Sequence, residues 1–427
     1  MLFPEISRRI HSHLSNGRLI CFMKNLLCIF LLASNFAYGE ASLPALTSEQ
    51  WRQDLEFFAH EITTKHRDSY HFISKAEFDR AVSNLRQRIP SMKDYEVVVG
   101  LQRLAALIGD GHTFLDTSGL YGRFPLQDFW FGNDLRVIRA APEYREALGA
   151  RIVSIGSLSI EKVREKIQQL IPQAENQWYV LNSSAKLLMS VEPLAALGVL
   201  PGLGPADFTF EDDSGRRFKL RIRPVPAGAS DSEEIATEPV PLPFQHPEDA
   251  LWFTYLSDSR TVYVDFRSFH DLQTQSARLW DYIGKLPVNR LIIDMRWNEG
   301  GNYSHGREYL TYKLTFMPTL NRAGHLFVIT GRGTFSAGMT NVTDFRRETE
   351  ATLVGEPTGA RPNTYQENHL FTLPLSKLRV SCAMLRYRFQ PESETDAVFP
   401  DQRIDPDWRL FSAGKDAALQ WILAGRY

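Results

Sequence analysis

The run His325-Leu326-Phe327-Val328-Ile329-Thr330-Gly331-Arg332-Gly333-Thr334-Phe335-Ser336-Ala337-Gly338 decides how the chain is read. A short continuous apolar stretch that ends at glycine is the pattern of a strand buried on both faces. The residues from Ser336 onward predict a helix. A serine at such a strand-to-helix turn has an exposed hydroxyl, and the backbone N–H groups that follow it, at the positive end of the helix dipole, can stabilise an oxyanion. Ser336 therefore reads in two ways, as a helix cap or as a nucleophile. A dinucleotide loop does not fit, because Gly331-x-Gly333-x4-Gly338 is not G-x-G-x-x-G.

The same rhythm extends on both sides. Strands are expected at Thr261 to Phe266, Arg290 to Met295, Thr352 to Val354, Leu370 to Leu373 and Leu378 to Cys382, with helices near Thr274 to Lys285 and Ser304 to Leu314. Strands alternating with helices predict an α/β layer around a largely buried sheet. A second glycine turn, Arg296-Trp297-Asn298-Glu299-Gly300-Gly301-Asn302, follows one of these strands. Adjacent glycines there can turn backbone N–H groups into a site, or simply make a strand-to-helix turn.

Toward the N-terminus the period changes to 3.6. Trp51, Leu55, Phe58 and Ile62 share one helix face, behind the capping box Thr47-x-x-Gln50. A second helix starts at Ser74 with Glu77 three residues on and stops at Pro90; a third runs from about Asp94 to Ile108 and stops at Gly109. The loop after it, Asp110-Gly111-His112-Thr113, carries a histidine that suits the base a serine nucleophile needs, or a structural hydrogen bond. His60-Glu61 with His66 is not a zinc-peptidase helix, since the two histidines are six apart rather than four, and no metal site is expected. From about Phe124 to Val225 short strands surround the helix Ile160 to Ile171, predicting a separate α+β unit, and residues 226 to 248 read as a linker or long surface loop.

The chain has 427 residues, 48 Lys and Arg against 50 Asp and Glu, and 43% hydrophobic residues, which excludes disordered, collagen-like and membrane-bundle classes. Its formal charge of -2 gives no general attraction to nucleic acid. Lys24 before the apolar run Leu26 to Ala37, with Gly39 after it, reads as an export signal, and residues before Met23 as an upstream extension. Without residues 1–39 the chain keeps 44 positive and 49 negative charges and a single cysteine, Cys382, so no internal disulfide is expected. The mature chain is expected in the periplasm or outside the cell, without stable membrane insertion.

Taken in order, these blocks resemble the C-terminal-processing and tricorn-like serine peptidases, whose relatives include the modules of interphotoreceptor retinoid-binding protein. The resemblance rests on Asp110-Gly111-His112-Thr113, on Asp134-Leu135-Arg136-Val137 with Ala147 to Gly156, and on Leu291 to Arg296 with Gly300-Gly301. Thr334 to Gly338 and Val354 to Gly359 complete it. It implies a helical N-terminal subdomain (45–120), a PDZ-like α+β domain (121–226), a linker (227–248) and a crotonase/ClpP-like α/β catalytic core (249–427). It further implies Ser336 as nucleophile, with an oxyanion hole from Ala337 and Gly300 or Gly301. Processing peptidases of this type use a lysine where Arg361 stands, and arginine cannot serve as a base; the tricorn-like branch uses a histidine at the place of His112. For the supporting acid the resemblance offers Glu367 and Asp401. The serine that precedes the histidine in the tricorn pattern is Gly111 here, and Arg361 is left a structural or substrate-carboxylate role.

The expected function is thus an exported serine endopeptidase acting on peptides or unfolded proteins by acyl transfer, without a cofactor. The rival is a non-catalytic carrier of an apolar ligand, suggested by the retinoid-binding relatives and by 12% aromatic residues. The separation of Ser336 and His112 discriminates the two readings.

Overall fold

A computed structural model describes residues 43–229 and 234–425. The expected export signal, residues 1–39, lies outside the described residues. Three helices begin the described chain: Ser48–Lys65, Lys75–Arg88 and Asp94–Ile108. The first two carry the capping boxes expected at Thr47/Gln50 and Ser74/Glu77. The third ends at Gly109 with φ +108°, a conformation that releases the chain into the Asp110–Thr113 loop without a Cβ penalty. Trp51, Leu55, Phe58, Ile62, Leu101 and Ile108 pack together in their shared core.

Next comes an antiparallel sheet in the order Leu126–Phe131, Asp134–Ala140, Arg151–Ile155, Ala206–Glu211 and Arg217–Ile222. Its inward side chains, among them Leu135, Val137, Ile152 and Phe208, pack on helix Ile160–Ile167 through Val163 and Ile167. Two further helices, Gln177–Leu188 and Val191–Ala196, were not expected from the sequence. The described residues of the segment expected as a linker or long surface loop are mostly irregular and tied down at two points. Ile235–Ala236 pairs with Asp134–Ala140, and Phe244 packs edge-on against Phe129, Trp297 and Phe411. Two apolar anchors without periodicity suffice to fasten a segment whose composition is linker-like.

The C-terminal half holds a six-stranded sheet in the order Gln402–Arg403, Thr352–Gly355, Leu326–Thr330, Arg290–Asp294, Thr261–Phe266, Leu251–Leu256. All pairs are parallel except the last. Because side chains alternate along a strand, Val262, Leu291, Ile293 and Val328 face helices Leu272–Gly284 and Ala337–Glu348, while Tyr263, Ile292, Phe327 and Ile329 face Ala418, Leu419 and Ile422 of the C-terminal helix. Helix residues 303–315 contain a π turn at Arg307–Thr311.

Two expected core strands lie elsewhere. Tyr365–Thr372 and Arg379–Arg386 form a hairpin outside the six-stranded sheet, and its second strand pairs with Phe114–Leu115. Leu373, Leu378, Val380 and Cys382 join the core of the N-terminal helices. The division at residues 120 and 249 therefore does not describe the packing: a strand alternating apolar and polar residues buries one face equally well against helices or in a larger sheet, and the sequence pattern is the same. The described residues, 43–229 and 234–425, fall in one compact unit. No helix among the described residues is long and apolar enough to cross a membrane.

Candidate active site

The loop between strand Leu326–Thr330 and helix Ala337–Glu348 is fixed before any side chain of the site is considered. The Thr334 hydroxyl donates to the Met295 carbonyl at 2.8 Å and accepts the Gly331 N–H at 3.0 Å. Asn298, fully buried, ties the neighbouring turn to it. Its carbonyl accepts the Phe335 N–H at 2.9 Å, its Nδ2 donates to the Phe266 carbonyl at 3.1 Å, and its Oδ1 accepts the Gly300 N–H at 3.1 Å. A Cβ on Gly338 would stand 2.4 Å from the Asn298 carbonyl oxygen, so the two turns close only with glycine there. At the apex Ser336 has φ +48° and ψ −123°, a backbone conformation strained for a residue with a side chain. Ser336 does not cap the helix with its hydroxyl. Its Oγ lies 2.9 Å from Nε2 of His112.

His112 comes from the far end of the chain and is held from several directions. Its ring stacks on Phe335, centroids 4.8 Å apart, and its carbonyl accepts the Ser381 hydroxyl at 2.8 Å. Its N–H donates to Asp110 Oδ1 at 3.1 Å. The Asp110 Oδ2 accepts Nε2 of His66 at 2.8 Å. Burial lowers the His112 pKa to about 4, against the opposing pull of the Asp110 charge and the Tyr365 backbone. The ring is therefore neutral at neutral pH, the state in which it can accept a proton. Its Nδ1 is buried and, among the described residues, has no hydrogen-bond partner of good geometry, although the Tyr365 backbone still favours the protonated ring.

The acids expected to complete the array are elsewhere. Glu367 is exposed on the hairpin and accepts the Tyr387 hydroxyl at 3.0 Å. Asp401 accepts Arg346 Nη2 and the Leu353 N–H, both at 2.8 Å, and pins the end of the six-stranded sheet. Neither touches His112 or Ser336, which corrects both assignments. Distance along the sequence from Ser336 carried no information on which layer each carboxylate joins. The Gly300 N–H is occupied by Asn298, whereas those of Gly301 and Ala337 carry no hydrogen bond among the described residues. Gly300 instead supplies space: a Cβ there would lie 2.7 Å from Ser336 Cβ and 3.1 Å from the Ala337 nitrogen. Gly111 has a similar reason, since a Cβ would meet Phe335 at 2.7 Å, leaving no room for the serine of the tricorn pattern. Arg361 lies in a loop docked on the Ser336 turn by the Gly359 N–H to Thr334 carbonyl bond of 3.0 Å; its Nε is buried and has no hydrogen-bond partner among the described residues.

Sequence reasoning missed Glu175. Its Oε1 accepts the Gly111 N–H at 2.9 Å and the Thr364 hydroxyl at 3.3 Å, and its Oε2 accepts the Arg361 N–H at 3.2 Å. One carboxyl thus joins the histidine loop, 64 residues before it, to the Arg361 loop, 186 residues after it, and no local motif announces the link. Burial, helped by the nearby Asp110 charge, raises its pKa to about 7. The folded state then holds a proton that the unfolded chain has already lost, so this group's contribution is complete below about pH 4.5 and falls as pH rises toward 7, by roughly 3 kcal/mol. Glu175→Gln is expected to flatten that part of the pH dependence, checked by urea unfolding at pH 5 and pH 8.

His66, His71 and Asp110 bring ligand atoms within 4.8 Å of one another. The donor set does not suit a cation. His66 Nδ1 accepts the Asp68 N–H at 2.9 Å, so the ring proton sits on Nε2 and is given to Asp110. A metal at Nε2 would have to displace it.

No protein-family model matches the sequence, and no curated protein matches it. Among solved structures, mature CPAF complexed with lactacystin is similar with a TM-score of 0.62 at 11% identity, covering 88% of this chain and 97% of that one. The photosystem II D1 C-terminal processing protease is similar at 16% identity and TM-score 0.40, covering 87% and 99%. The tricorn protease is similar at 12% identity and TM-score 0.39, covering 89% of this chain and 37% of that one. The likeness to mature CPAF, at a TM-score of 0.62, shows a shared mixed α/β fold.

Proposed function

We propose that the protein is a serine peptidase in which Ser336 is the nucleophile and His112 the base, exported as its N-terminal sequence suggests. The observation that carries this reading is the 2.9 Å contact between Ser336 Oγ and a buried, neutral imidazole. Ser336 attacks a peptide carbonyl while His112 Nε2 takes its proton; the imidazolium returns that proton to the leaving amine, and water then releases the acyl group by the reverse arrangement. The free N–H of Ala337, at the N-terminus of its helix, and that of Gly301 are the donors for the developing oxyanion. A histidine base is the tricorn-like solution, and Arg361, which stands where a Ser–Lys enzyme has its lysine, keeps a proton at any working pH.

The antiparallel sheet between Leu126 and Ile222, with its packed helix, fits the PDZ-like role of presenting an extended peptide by strand addition. Peptides and unfolded proteins are accordingly the substrate class. A carrier of apolar ligands would have no use for a strained serine aimed at a buried histidine. The test is mass spectrometry of a denatured protein incubated with the mature chain and with Ser336→Ala confirmed to be folded. Discrete fragments from the parent alone are expected; no cleavage by a well-folded parent would overturn the reading.

A further inference from the structure

A serine–histidine pair whose imidazole lacks a partner on Nδ1 needs another source of negative charge for the imidazolium it forms. We propose that Asp110, held by His66, is the positioning acid of this site: it fixes the histidine loop through its bond to the His112 N–H and places a fixed negative charge beside the ring. The inference rests on the peptidase reading above and replaces the acid that Glu367 and Asp401 do not supply.

The arrangement is over-determined. Asp110 is 1% exposed, so its charge acts in an environment where water screens little. One oxygen receives the His112 N–H at 3.1 Å, the other the His66 ring at 2.8 Å. His66 cannot reverse its proton, because Nδ1 is occupied by the Asp68 N–H at 2.9 Å. The tautomer that donates to Asp110 is thus set by the backbone. Ring contacts then lock the orientation: His71 stacks on His66, centroids 5.6 Å apart, and Tyr365 lies against both. Asp110 works through His112 and touches neither substrate nor Ser336.

Other ionisable groups face this cluster. From the helix end come His66, His71 and Asp68, the last bonded to the Tyr365 hydroxyl at 3.0 Å. The hairpin adds the Tyr365 and Cys382 side chains, and burial raises the pKa of both. The small unit adds Tyr179 and Glu175. Two other acids are among them: Asp68 accepts the Tyr365 hydroxyl and lies beside His71, and Glu175, with a pKa of about 7, is mostly neutral at pH 6, so Asp110 is the carboxylate whose charge acts on the His112 ring there.

The experiment measures kcat and KM on a quenched fluorescent peptide from pH 3.5 to 8 with the full chain, comparing the parent with Asp110→Asn, His66→Ala, His66→Gln and Ser336→Ala. Asparagine at 110 still accepts the His112 N–H but loses the charge and presents an amide to the fixed His66 donor. For Asp110→Asn, kcat at pH 6 is expected to fall by on the order of 100- to 10,000-fold with KM little changed, and the acid limb of the profile to move to lower pH. A merely structural residue would lower the rate without moving the limb. His66→Ala should lose rate in the same direction, and His66→Gln, whose amide can donate to Asp110, should recover most of that loss. A folded Asp110→Asn with the parent's kcat and limb overturns the proposal. If that variant does not fold, His66→Ala at the parent rate, or His66→Gln no faster than His66→Ala, overturns it. Cleavage by Ser336→Ala would instead remove the peptidase reading on which the proposal stands.

Discussion

His112→Ala is expected to lower peptide cleavage by at least about 10,000-fold while leaving the fold in place. The magnitude follows from the geometry. The Ser336 hydroxyl is almost fully protonated at neutral pH, and its only base within hydrogen-bond reach among the described residues is His112 Nε2, 2.9 Å away. Arg361 cannot take over, since its guanidinium does not release a proton. The imidazole is buried and stacked on Phe335, so alanine leaves a space of ring size, and added imidazole should restore part of the rate. Steady-state kinetics with and without imidazole, alongside circular dichroism, check this. The parent should keep activity down to about pH 5, because burial holds the base's pKa near 4 and only protonated His112 is inactive.

Gly300→Ala is expected to be nearly as damaging for a different reason. The residue has φ +120°, which an alanine adopts only under strain, and its Cβ would lie 2.7 Å from Ser336 Cβ and 3.2 Å from Ser336 Oγ. The added carbon would also stand 3.1 Å from the Ala337 nitrogen, in the space that a carbonyl oxygen must enter to reach that N–H. A loss of roughly 100- to 1,000-fold in kcat, the usual effect of disabling an oxyanion donor, is the minimum expected. The strain adds a loss of stability of about 1–3 kcal/mol, visible as a lower Tm. Parent kcat/KM in this variant would mean that substrate does not approach Ser336 from the Gly300 side.

What was legible in the sequence was local. Capping boxes at Thr47 and Ser74, the stop at Gly109 and the apolar run before Gly331 are each decided within a few residues, and the structure has them where they were expected. The glycine turn at Gly300-Gly301 was legible as a turn, but not that Asn298 would occupy one of its N–H groups. The hairpin at residues 365–386 was legible as strands and misplaced as to layer, because alternation names a buried face and not the element that buries it. Glu367 went with it to an exposed position. Glu175 and His66 could not be read at all: each acts through hydrogen bonds to loops 44 or more residues away, and nothing in their neighbours marks them. Asp110 stood in plain view, two residues before His112, yet its role needs the His66 ring to be known.

The central claim is that Ser336 is a nucleophile activated by His112. It is tested most directly by reaction of the folded protein with a fluorophosphonate, followed by intact mass and peptide mapping. A single adduct on Ser336, formed at or above pH 5 and absent from His112→Ala, is the predicted result. A folded protein that takes up no reagent, or takes it up elsewhere at the same rate in parent and variant, would contradict it.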